Sequence, residues 1–276
     1  MSYRITVLCE NTVGPVASTL GEHGFAALVE WEGDALLFDT GQGATLLHNA
    51  QRMHKDLHRV ARVALSHGHY DHAGGLWPLL RTCGGKEVLA HPGIFAPRYR
   101  VKDTGAALSI GIPFSEAFLV GQGARFTYSE RFREIGPGLF LTGEVPRDTT
   151  FEVGDAGLYG DEEGRDPDQL RDDQSLVIRT ERGLVLLLGC CHAGLVNTLA
   201  WARAQTGVAE IYAVIGGTHL GFCGQPQLTG TVKVLRDWGV QKIFGGHCTG
   251  FAAAARLVQE LPGRYHPAQV GFTLEV

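Results

Sequence analysis

The feature of this sequence richest in chemistry is the hexapeptide His67-Gly68-His69-Tyr70-Asp71-His72. Neutral imidazole is the commonest metal ligand in proteins, and carboxylates join it in catalytic metal sites. In an extended segment residues i and i+2 point the same way, so His67 and His69 can hold one ion. A turn at Asp71 and His72 would direct their side chains toward a second ion. The spacing therefore predicts a two-metal site rather than a solvated loop.

Further candidates for the site follow other apolar runs. Cys190, Cys191 and His192 come directly after a run of strand length. His192 begins a turn at the strand end, where α/β proteins usually place ligands, so we predict that it binds metal. Cys190 is either a thiolate ligand or a small buried residue that closes the strand. His219 follows another predicted strand, where it is either a proton donor or substrate contact or a simple loop histidine.

Two adjacent carboxylates, Asp172 and Asp173, precede a further predicted strand. Short polar side chains in that position are typical of a turn. A third metal ligand and a substrate anchor are the alternatives, and we keep Asp173 as a substrate-binding candidate and Asp172 as an open ligand question.

Strands and helices interleave along the chain and would position these residues. Apolar runs of strand length occur at residues 3–9, 25–31, 35–38, 60–65, 175–180, 184–189, 211–215 and 242–244. Helical spacing occurs at residues 44–53, 75–82, 195–205 and 227–238, and after residue 251. The two halves share a β-β-α-β-α layout. This order predicts an α/β protein in which two sheets pack face to face, with helices outside and the site at one edge.

We expect one domain over residues 1–276, with an irregular segment between its halves. Residues from about 93 to 172 carry Gly, Pro and charge without a clear period. Long irregular segments in compact domains are usually functional lids or poorly ordered. The sequence leaves open which of the two this lid or insert is.

Composition excludes several classes of function. The chain has 276 residues, 24 Lys and Arg against 29 Asp and Glu, and a formal net charge of −5, which argues against a nucleic-acid partner. No apolar run approaches the length that spans a bilayer, and the amino end lacks the pattern of a secretion signal. Six cysteines, two of them adjacent, give no disulfide framework. We therefore expect a cytoplasmic protein with free thiols and a small-molecule substrate, and no membrane partner. The oligomeric state stays open.

The hexapeptide resembles the His-x-His-x-Asp-His hallmark of the metallo-β-lactamase superfamily. The segment Leu36-Leu37-Phe38-Asp39-Thr40-Gly41 is similar to the first motif of that superfamily. The aspartate of this motif supports the ligand histidines from behind and does not bind metal, which implies that role for Asp39. The resemblance also implies a four-layer αββα sandwich with two mixed sheets.

The resemblance implies a ligand set for two divalent ions. The first-metal pair, the second-metal pair and the late histidine of the superfamily correspond to His67, His69, Asp71, His72 and His247. A bridging aspartate is missing, because the strand that usually supplies it ends here in Gly189-Cys190. Either Cys190 serves there as a thiolate, or His192 completes the first trio, and we favour His192. Ligation rich in imidazole favours zinc, and ligand type leaves manganese or iron open.

Further segments resemble a narrower branch, the 7,8-dihydropterin-6-methyl-4-(β-D-ribofuranosyl)aminobenzene 5′-phosphate synthases, and this resemblance covers nearly the whole chain. These segments are residues 66–76, 142–147, 172–176, 189–194 and 246–250. The branch implies a substrate that contains a pterin or a phosphate. Arg147 and Lys86 would then be candidates for holding phosphate.

The first functional hypothesis is a hydrolase-like enzyme in which the site activates water against a small molecule. Asp71 would orient both an ion and the attacking water. A condensing transferase, which joins a pterin to an aminobenzene-ribose phosphate, is the alternative implied by the branch. A hypothesis from another class is a non-catalytic, redox-sensing metal protein. It would use four thiols, those of Cys190, Cys191, Cys223 and Cys248.

Overall fold

Two large sheets and one small sheet form the framework of the computed structural model, which describes residues 2–276. In chain order the strands are β1 (Tyr3–Cys9), β2 (Ala26–Trp31), β3 (Asp34–Phe38), β4 (Arg62–Ala64), β5 (Lys86–Ala90), β6 (Tyr99–Val101), β7 (Ala107–Ser109), β8 (Ala124–Tyr128), β9 (Arg133–Gly136), β10 (Leu139–Leu141), β11 (Leu158–Tyr159), β12 (Leu176–Thr180), β13 (Gly183–Leu188), β14 (Ile211–Gly217), β15 (Lys242–Gly246), β16 (Tyr265–Pro267) and β17 (Thr273–Glu275). The helices are α1 (Leu46–Arg52), α2 (Tyr70–Ala73), α3 (Leu76–Cys83), α4 (Glu116–Gly121), α5 (Leu195–Thr206), α6 (Gln225–Asp237) and α7 (Phe251–Glu260), and a 3-10 turn spans His247–Thr249.

The two large sheets pack through their inner faces. Their strand orders are β17-β1-β2-β3-β4-β5-β8 and β16-β15-β14-β13-β12-β10-β9. Ile5 and Leu36 of the first sheet share one fully buried apolar cluster with Val185 and Leu187 of the second. Removing this apolar area from water is the main force that holds the sheets together.

Helices cover the outer face of each large sheet. Leu37 of β3 packs in one cluster with Leu46 of α1 and Leu79 of α3. Leu186 of β13 packs in another with Leu199 of α5. β13 is therefore covered on both faces, which explains its continuous apolar sequence. The four layers confirm the predicted αββα architecture.

Parallel pairing brings several strand ends to one edge of the sandwich. β3 and β4 are parallel in the first sheet, and β13, β14 and β15 are parallel in the second. The carboxyl ends of parallel neighbours meet at the same sheet edge, where α/β folds usually place their ligands. The hexapeptide follows β4, and the predicted late ligands follow β13 and β15.

The segment between about 93 and 172 is divided among all three sheets. β8 joins the first large sheet, β9 and β10 join the second, and β11, β6 and β7 form the small one. The small sheet lies against the hexapeptide, since the Tyr70 N–H donates to the Ile110 carbonyl over 3.0 Å and His69 forms a β-bridge with Gly111. Within residues 2–276, no helix combines the length and apolar character that crossing a membrane requires.

Candidate metal centre

Three imidazoles converge at the edge where β4 and β13 end. One ring nitrogen from each of His67, His69 and His192 lies within 4.8 Å of the others. The closest approach is 2.9 Å, between His67 Nε2 and His69 Nδ1. All three residues are buried. The structure thus brings together the three residues that the sequence assigns to a first metal.

A carboxylate and two imidazoles form a second group beside the first. Asp71 Oδ2 lies 3.7 Å from His72 Nε2 and 3.3 Å from His247 Nε2, and these two nitrogens are 3.2 Å apart. Asp71 and His72 come from α2, and His247 follows β15. Three potential ligand atoms therefore point to one small volume.

The Cys190 thiol lies between the two groups. Its Sγ is 3.2 Å from His72 Nε2. It also belongs to one cluster with His67 and His72 and to another with His192 and His219. This is the place where the superfamily resemblance implies a bridging carboxylate, so Cys190 would be the residue positioned to supply a thiolate there.

Asp39 lies behind the site and orients two of the rings. Its Oδ2 accepts hydrogen bonds from His72 Nδ1 and Ser66 Oγ, each over 2.7 Å. Because Ser66 Oγ donates to Asp39, it is free to accept from His67 Nδ1 at 2.9 Å. Both Nε2 atoms then face the site as lone-pair donors. His247 is oriented in the same way by Asn11 Oδ1, 3.0 Å from its Nδ1.

Backbone strain is concentrated at the strand ends that carry the site. Asp39, Cys191, His219 and His247 have φ values of 58°, 62°, 55° and 49°. Non-glycine residues adopt this left-handed region at a cost, and such residues cluster at functional sites. The surrounding sheets must therefore supply the energy that holds these side chains in place.

Burial and neighbouring charges set the protonation states. Burial, reinforced by the adjacent imidazoles, holds the pKa of His67 and of His192 well below the ordinary value. Burial also lowers the pKa of His69. Burial opposes ionisation of Asp71, but the histidines that surround it, with His72 foremost, hold its pKa well below the ordinary range. Although burial opposes it, the charges of Asp71 and Asp39 raise the pKa of His72 to about 9. Neutral imidazole and ionised carboxylate are the forms that ligate metal, so His67, His69, His192 and Asp71 are already in these forms, whereas His72 would release a proton on binding an ion.

Unpaired buried nitrogens test whether these residues fit an ion. Both ring nitrogens of His192 and Nε2 of His69 are buried, and within residues 2–276 they have no hydrogen-bond partner. Leaving buried polar atoms unsatisfied is costly, and native proteins rarely do so. A divalent cation would take up one lone pair from each of these rings, so the donor set fits the metals that the fold implies.

Arg147 and Asp173, the two residues predicted to bind substrate, form hydrogen bonds with the backbone around His192. The Arg147 guanidinium donates to the carbonyls of His192 over 2.9 Å and Gln169 over 2.6 Å. The Asp173 carboxylate accepts from the Ala193 N–H over 2.8 Å. In these contacts both side chains fix the backbone of the His192 turn.

Asp172 and Lys86 lie outside the site. The Asp172 carboxylate accepts from the Gly68 N–H over 2.8 Å and from Arg98 over 2.6 Å, which places it beneath the hexapeptide backbone. Lys86 is buried, and its ammonium donates to the carbonyls of Leu57 and Cys83 over 3.2 and 3.1 Å. The prediction of Lys86 as a phosphate contact is therefore wrong, because its charge is enclosed by backbone carbonyls.

The four thiols of the redox hypothesis divide into two pairs. Cys190 and Cys248 lie close to His247, with the three ligand atoms within 4.8 Å of one another. Cys191 Sγ instead lies 3.3 Å from Thr198 Oγ1 on the α5 side. Cys223 donates to the Leu220 carbonyl. Only the first pair faces the candidate ligands.

A cavity of about 260 Å³ opens onto both donor groups. His219 forms part of its wall, with its ring 4.1 Å from that of His192 and its Nε2 3.4 Å from Asp155 Oδ2. Arg100 donates to the same Asp155 oxygen over 2.6 Å. His23, treated as a scattered histidine in the sequence, lies with Nε2 3.2 Å from Asp71 Oδ2.

Sequence reasoning missed Arg100, Asp155 and His23. Arg100 and Asp155 fall in the segment without clear period, and no motif surrounds any of the three. To find them from the sequence, one would have to know which strands pair in the small sheet and where the loop after β1 lies.

Four-layer packing, a shared strand-end edge and two donor groups define a metallo-β-lactamase-type protein. The family model described as the metallo-beta-lactamase superfamily matches residues 20–170. The chain belongs to this superfamily.

Individual relatives cover almost the entire chain. It is 31% identical to the 7,8-dihydropterin-6-methyl-4-(beta-D-ribofuranosyl)-aminobenzene-5′-phosphate synthase of Methanocaldococcus jannaschii, over 97% of this chain and 95% of that protein. An uncharacterised protein of the same organism is 29% identical over 92% of this chain and 94% of its own length. Among solved structures, a metal-dependent hydrolase of the beta-lactamase superfamily matches with a TM-score of 0.85 and 30% identity, covering 99% of each chain. These matches confirm the superfamily and branch resemblances.

Proposed function

We propose that this protein is a metal-dependent, hydrolase-like enzyme with a dinuclear site that acts on a small molecule containing a phosphate or a pterin. The observation that supports this most is the presence of two adjacent donor groups, which together open onto one cavity. A purely structural metal site is usually closed by its ligands and has no such opening.

In this proposal each group holds one divalent ion. His67, His69 and His192 would hold the first, and Asp71, His72 and His247 the second, as expected from the superfamily. Cys190 is the candidate thiolate between them. The imidazole content favours zinc.

The protein's side chains then have distinct chemical roles. When bound, two divalent ions would lower the pKa of a water at the site and stabilise negative charge on a substrate oxygen. Asp71 would orient that water. Water would add its oxygen to the phosphorus or carbonyl carbon, the bond to the leaving oxygen would break, and His219 would deliver a proton to that oxygen. Asp155, 3.4 Å from His219 Nε2, would orient the donor ring.

Two relatives that cover nearly the whole chain carry the names of different reactions, which supports a second candidate reaction. The relative from Methanocaldococcus jannaschii carries the name of a synthase, whereas the matched crystal structure carries that of a hydrolase. A condensing transferase that joins a pterin to an aminobenzene-ribose phosphate would use the same site, because one fold hosts many reactions.

The proximity of the free thiols of Cys190 and Cys248 supports a non-catalytic alternative, a redox-sensing metal protein. Both thiols lie within 4.8 Å of His247 Nε2 or Nδ1 and of each other. This alternative predicts that thiol oxidation releases metal while the loaded protein turns over no substrate.

Turnover by metal-loaded protein tests the proposal. Bis(4-nitrophenyl) phosphate and a simple lactone serve as generic substrates, measured for the wild type, His67→Ala and His58→Ala. His58 is an exposed histidine and provides the matched control. We expect turnover in the wild type and in the control and its loss in His67→Ala. Equal turnover in all three proteins, or metal binding without any turnover, would contradict the proposal.

A further inference from the structure

The cavity above the metal centre contains a single permanent cation. Among the described residues that line it, Arg100 is the only Lys or Arg. Arg100 lies in β6 of the small sheet, and its side chain is 38% exposed. Arg98, two residues earlier, is instead buried and paired with Asp168 and Asp172. Of these two arginines, only Arg100 is placed to meet a molecule that enters the cavity.

One edge of the Arg100 guanidinium is fixed and the other is free. Its Nη1 donates to Asp155 Oδ2 over 2.6 Å, and Asp155 is itself largely buried. Within residues 2–276, Nε and Nη2 of Arg100 make no hydrogen bond. A guanidinium carries five N–H donors, so the contact with Asp155 orients the group and leaves most of its donors available.

The Arg100 side chain is also held by its neighbours. The backbone of Gly157 lies beside the guanidinium, since a Cβ at that position would be in ordinary van der Waals contact with Cζ and Nε, at 3.7 Å from each. The ion pair with the largely buried Asp155 limits the conformations of this long side chain and so reduces the entropy that binding would cost.

Beyond the candidate ligands and Asp155, the cavity is lined largely by apolar side chains. Leu108, directly opposite Arg100 across the β6–β7 pair, is 55% exposed, and Ile110 and Leu158 continue the surface. Phe222 is also 55% exposed, with its ring 4.9 Å from that of His219. A ligand that fits this cavity has an apolar body and one anionic group.

We propose that Arg100 binds the phosphate-type oxyanion of the substrate and thereby selects anionic over neutral molecules. The free guanidinium edge matches the geometry of a phosphate group, which it can bind through two parallel hydrogen bonds. Asp155 is the positioning residue for this contact. The inference deepens the proposed function and depends on it for the location of the reacting bond.

Binding of phenylphosphonate tests the proposal without turnover, because its P–C bond resists hydrolysis. Its affinity is measured by calorimetry for the metal-loaded wild type, Arg100→Ala, Arg100→Lys and Arg165→Ala. Arg165 lies in the same part of the chain, but its side chain is 76% exposed and outside the cavity. We expect Arg100→Ala to weaken binding at least about tenfold, Arg100→Lys to fall in between, and Arg165→Ala to match the wild type.

Substrate preference provides the second measurement. The KM for bis(4-nitrophenyl) phosphate should rise in Arg100→Ala while the KM for neutral 4-nitrophenyl acetate stays unchanged. If Arg100→Ala and the wild type bind phenylphosphonate equally well, or if neither binds it, this inference is overturned. That holds even if His67→Ala has abolished turnover as the proposed function expects. Absence of turnover in the wild type would contradict the proposed function, and the calorimetry would still decide the role of Arg100. Matching thermal unfolding of the variants excludes misfolding as the cause.

Discussion

At the residue scale, the rings of the candidate ligands His67 and His72 are held in place through the ring nitrogens that face away from the site. Asp39 holds His72 directly and His67 through Ser66, so one carboxylate serves both donor groups. This arrangement sets which ring nitrogen presents its lone pair. The sequence predicted the supporting role of Asp39 through family resemblance, whereas the Ser66 relay depends on a three-dimensional contact.

Replacing Asp39 with Asn should weaken metal binding about 10- to 100-fold, since the amide removes the charge and one of the two acceptor oxygens. Competition with a chromophoric chelator measures this affinity. Asp34→Asn, at the exposed start of β3, is the matched control and should bind like the wild type. Undiminished affinity in Asp39→Asn would show that the carboxylate does not support the ligands.

Asp173 gives a pH-dependent prediction. Burial raises its pKa from 3.8 to about 6, against the hydrogen bond from Ala193, which lowers it. The folded-state pKa is the higher one, so the unfolded chain releases this proton first as pH rises. The contribution of Asp173 to stability is therefore lost between about pH 4 and pH 6 and constant above that.

The free energy of unfolding of Asp173→Asn relative to wild type should accordingly rise by roughly 3 kcal/mol across this window. Urea unfolding in the presence of a chelator, at several pH values between about 4 and 7, measures the difference. A difference that does not change with pH would contradict the raised pKa.

At the element scale, the strands and helices with strong apolar patterns were predicted, whereas the largely buried β5 was not. β13 is buried throughout, and its apolar run is continuous in the sequence. α6 begins at Gln225, two residues before its predicted start, because Pro226 fits the first helical turn. β4 covers only Arg62–Ala64, a shorter stretch than the apolar run that predicted it.

The small sheet could not be predicted in the same way. β6 is half-buried at each position, β7 is exposed at each position, and β11 has only two residues. Neither alternation nor a continuous apolar run marks such strands, so periodicity gives no signal. Arg100 and Asp155 were missed for this reason, although they line the cavity.

Close packing under the hexapeptide gives a prediction for Gly68. A Cβ at this position would overlap the Ile94 carbonyl oxygen and crowd Arg98. Gly68→Ala should therefore lower the free energy of unfolding by about 1–3 kcal/mol and displace His67 and His69, with loss of bound metal. Gly121→Ala, where a Cβ meets nothing within 4 Å, is the control. Urea unfolding and metal analysis check both effects, and wild-type values for Gly68→Ala would refute the argument.

At the scale of the whole molecule, each donor group draws on both large sheets. His67 and His69 follow β4 of the first sheet, whereas His192 follows β13 of the second. In the other group, Asp71 and His72 follow the first sheet and His247 follows the second. Bound ions would thus link the two halves of the sandwich, in addition to the apolar layer between the sheets.

Metal removal should therefore lower the thermal stability of the whole fold. A ligand present at 100 times its Kd stabilises the native state by about 2.7 kcal/mol. We expect Tm to fall on addition of a chelator, and to fall less in His192→Ala, which links the sheets more weakly. Differential scanning calorimetry measures both proteins, with His58→Ala as the control. An identical Tm with and without chelator would show that the ions do not join the two halves.

The central claim is that side chains distant in the sequence assemble a two-metal centre, and metal analysis of the purified protein tests it most directly. Mass spectrometry of the metal content should find about two equivalents per chain in the wild type and one or none in His69→Ala. A wild-type protein that binds no metal when zinc is supplied, or a His69→Ala protein that retains both equivalents, would contradict the account.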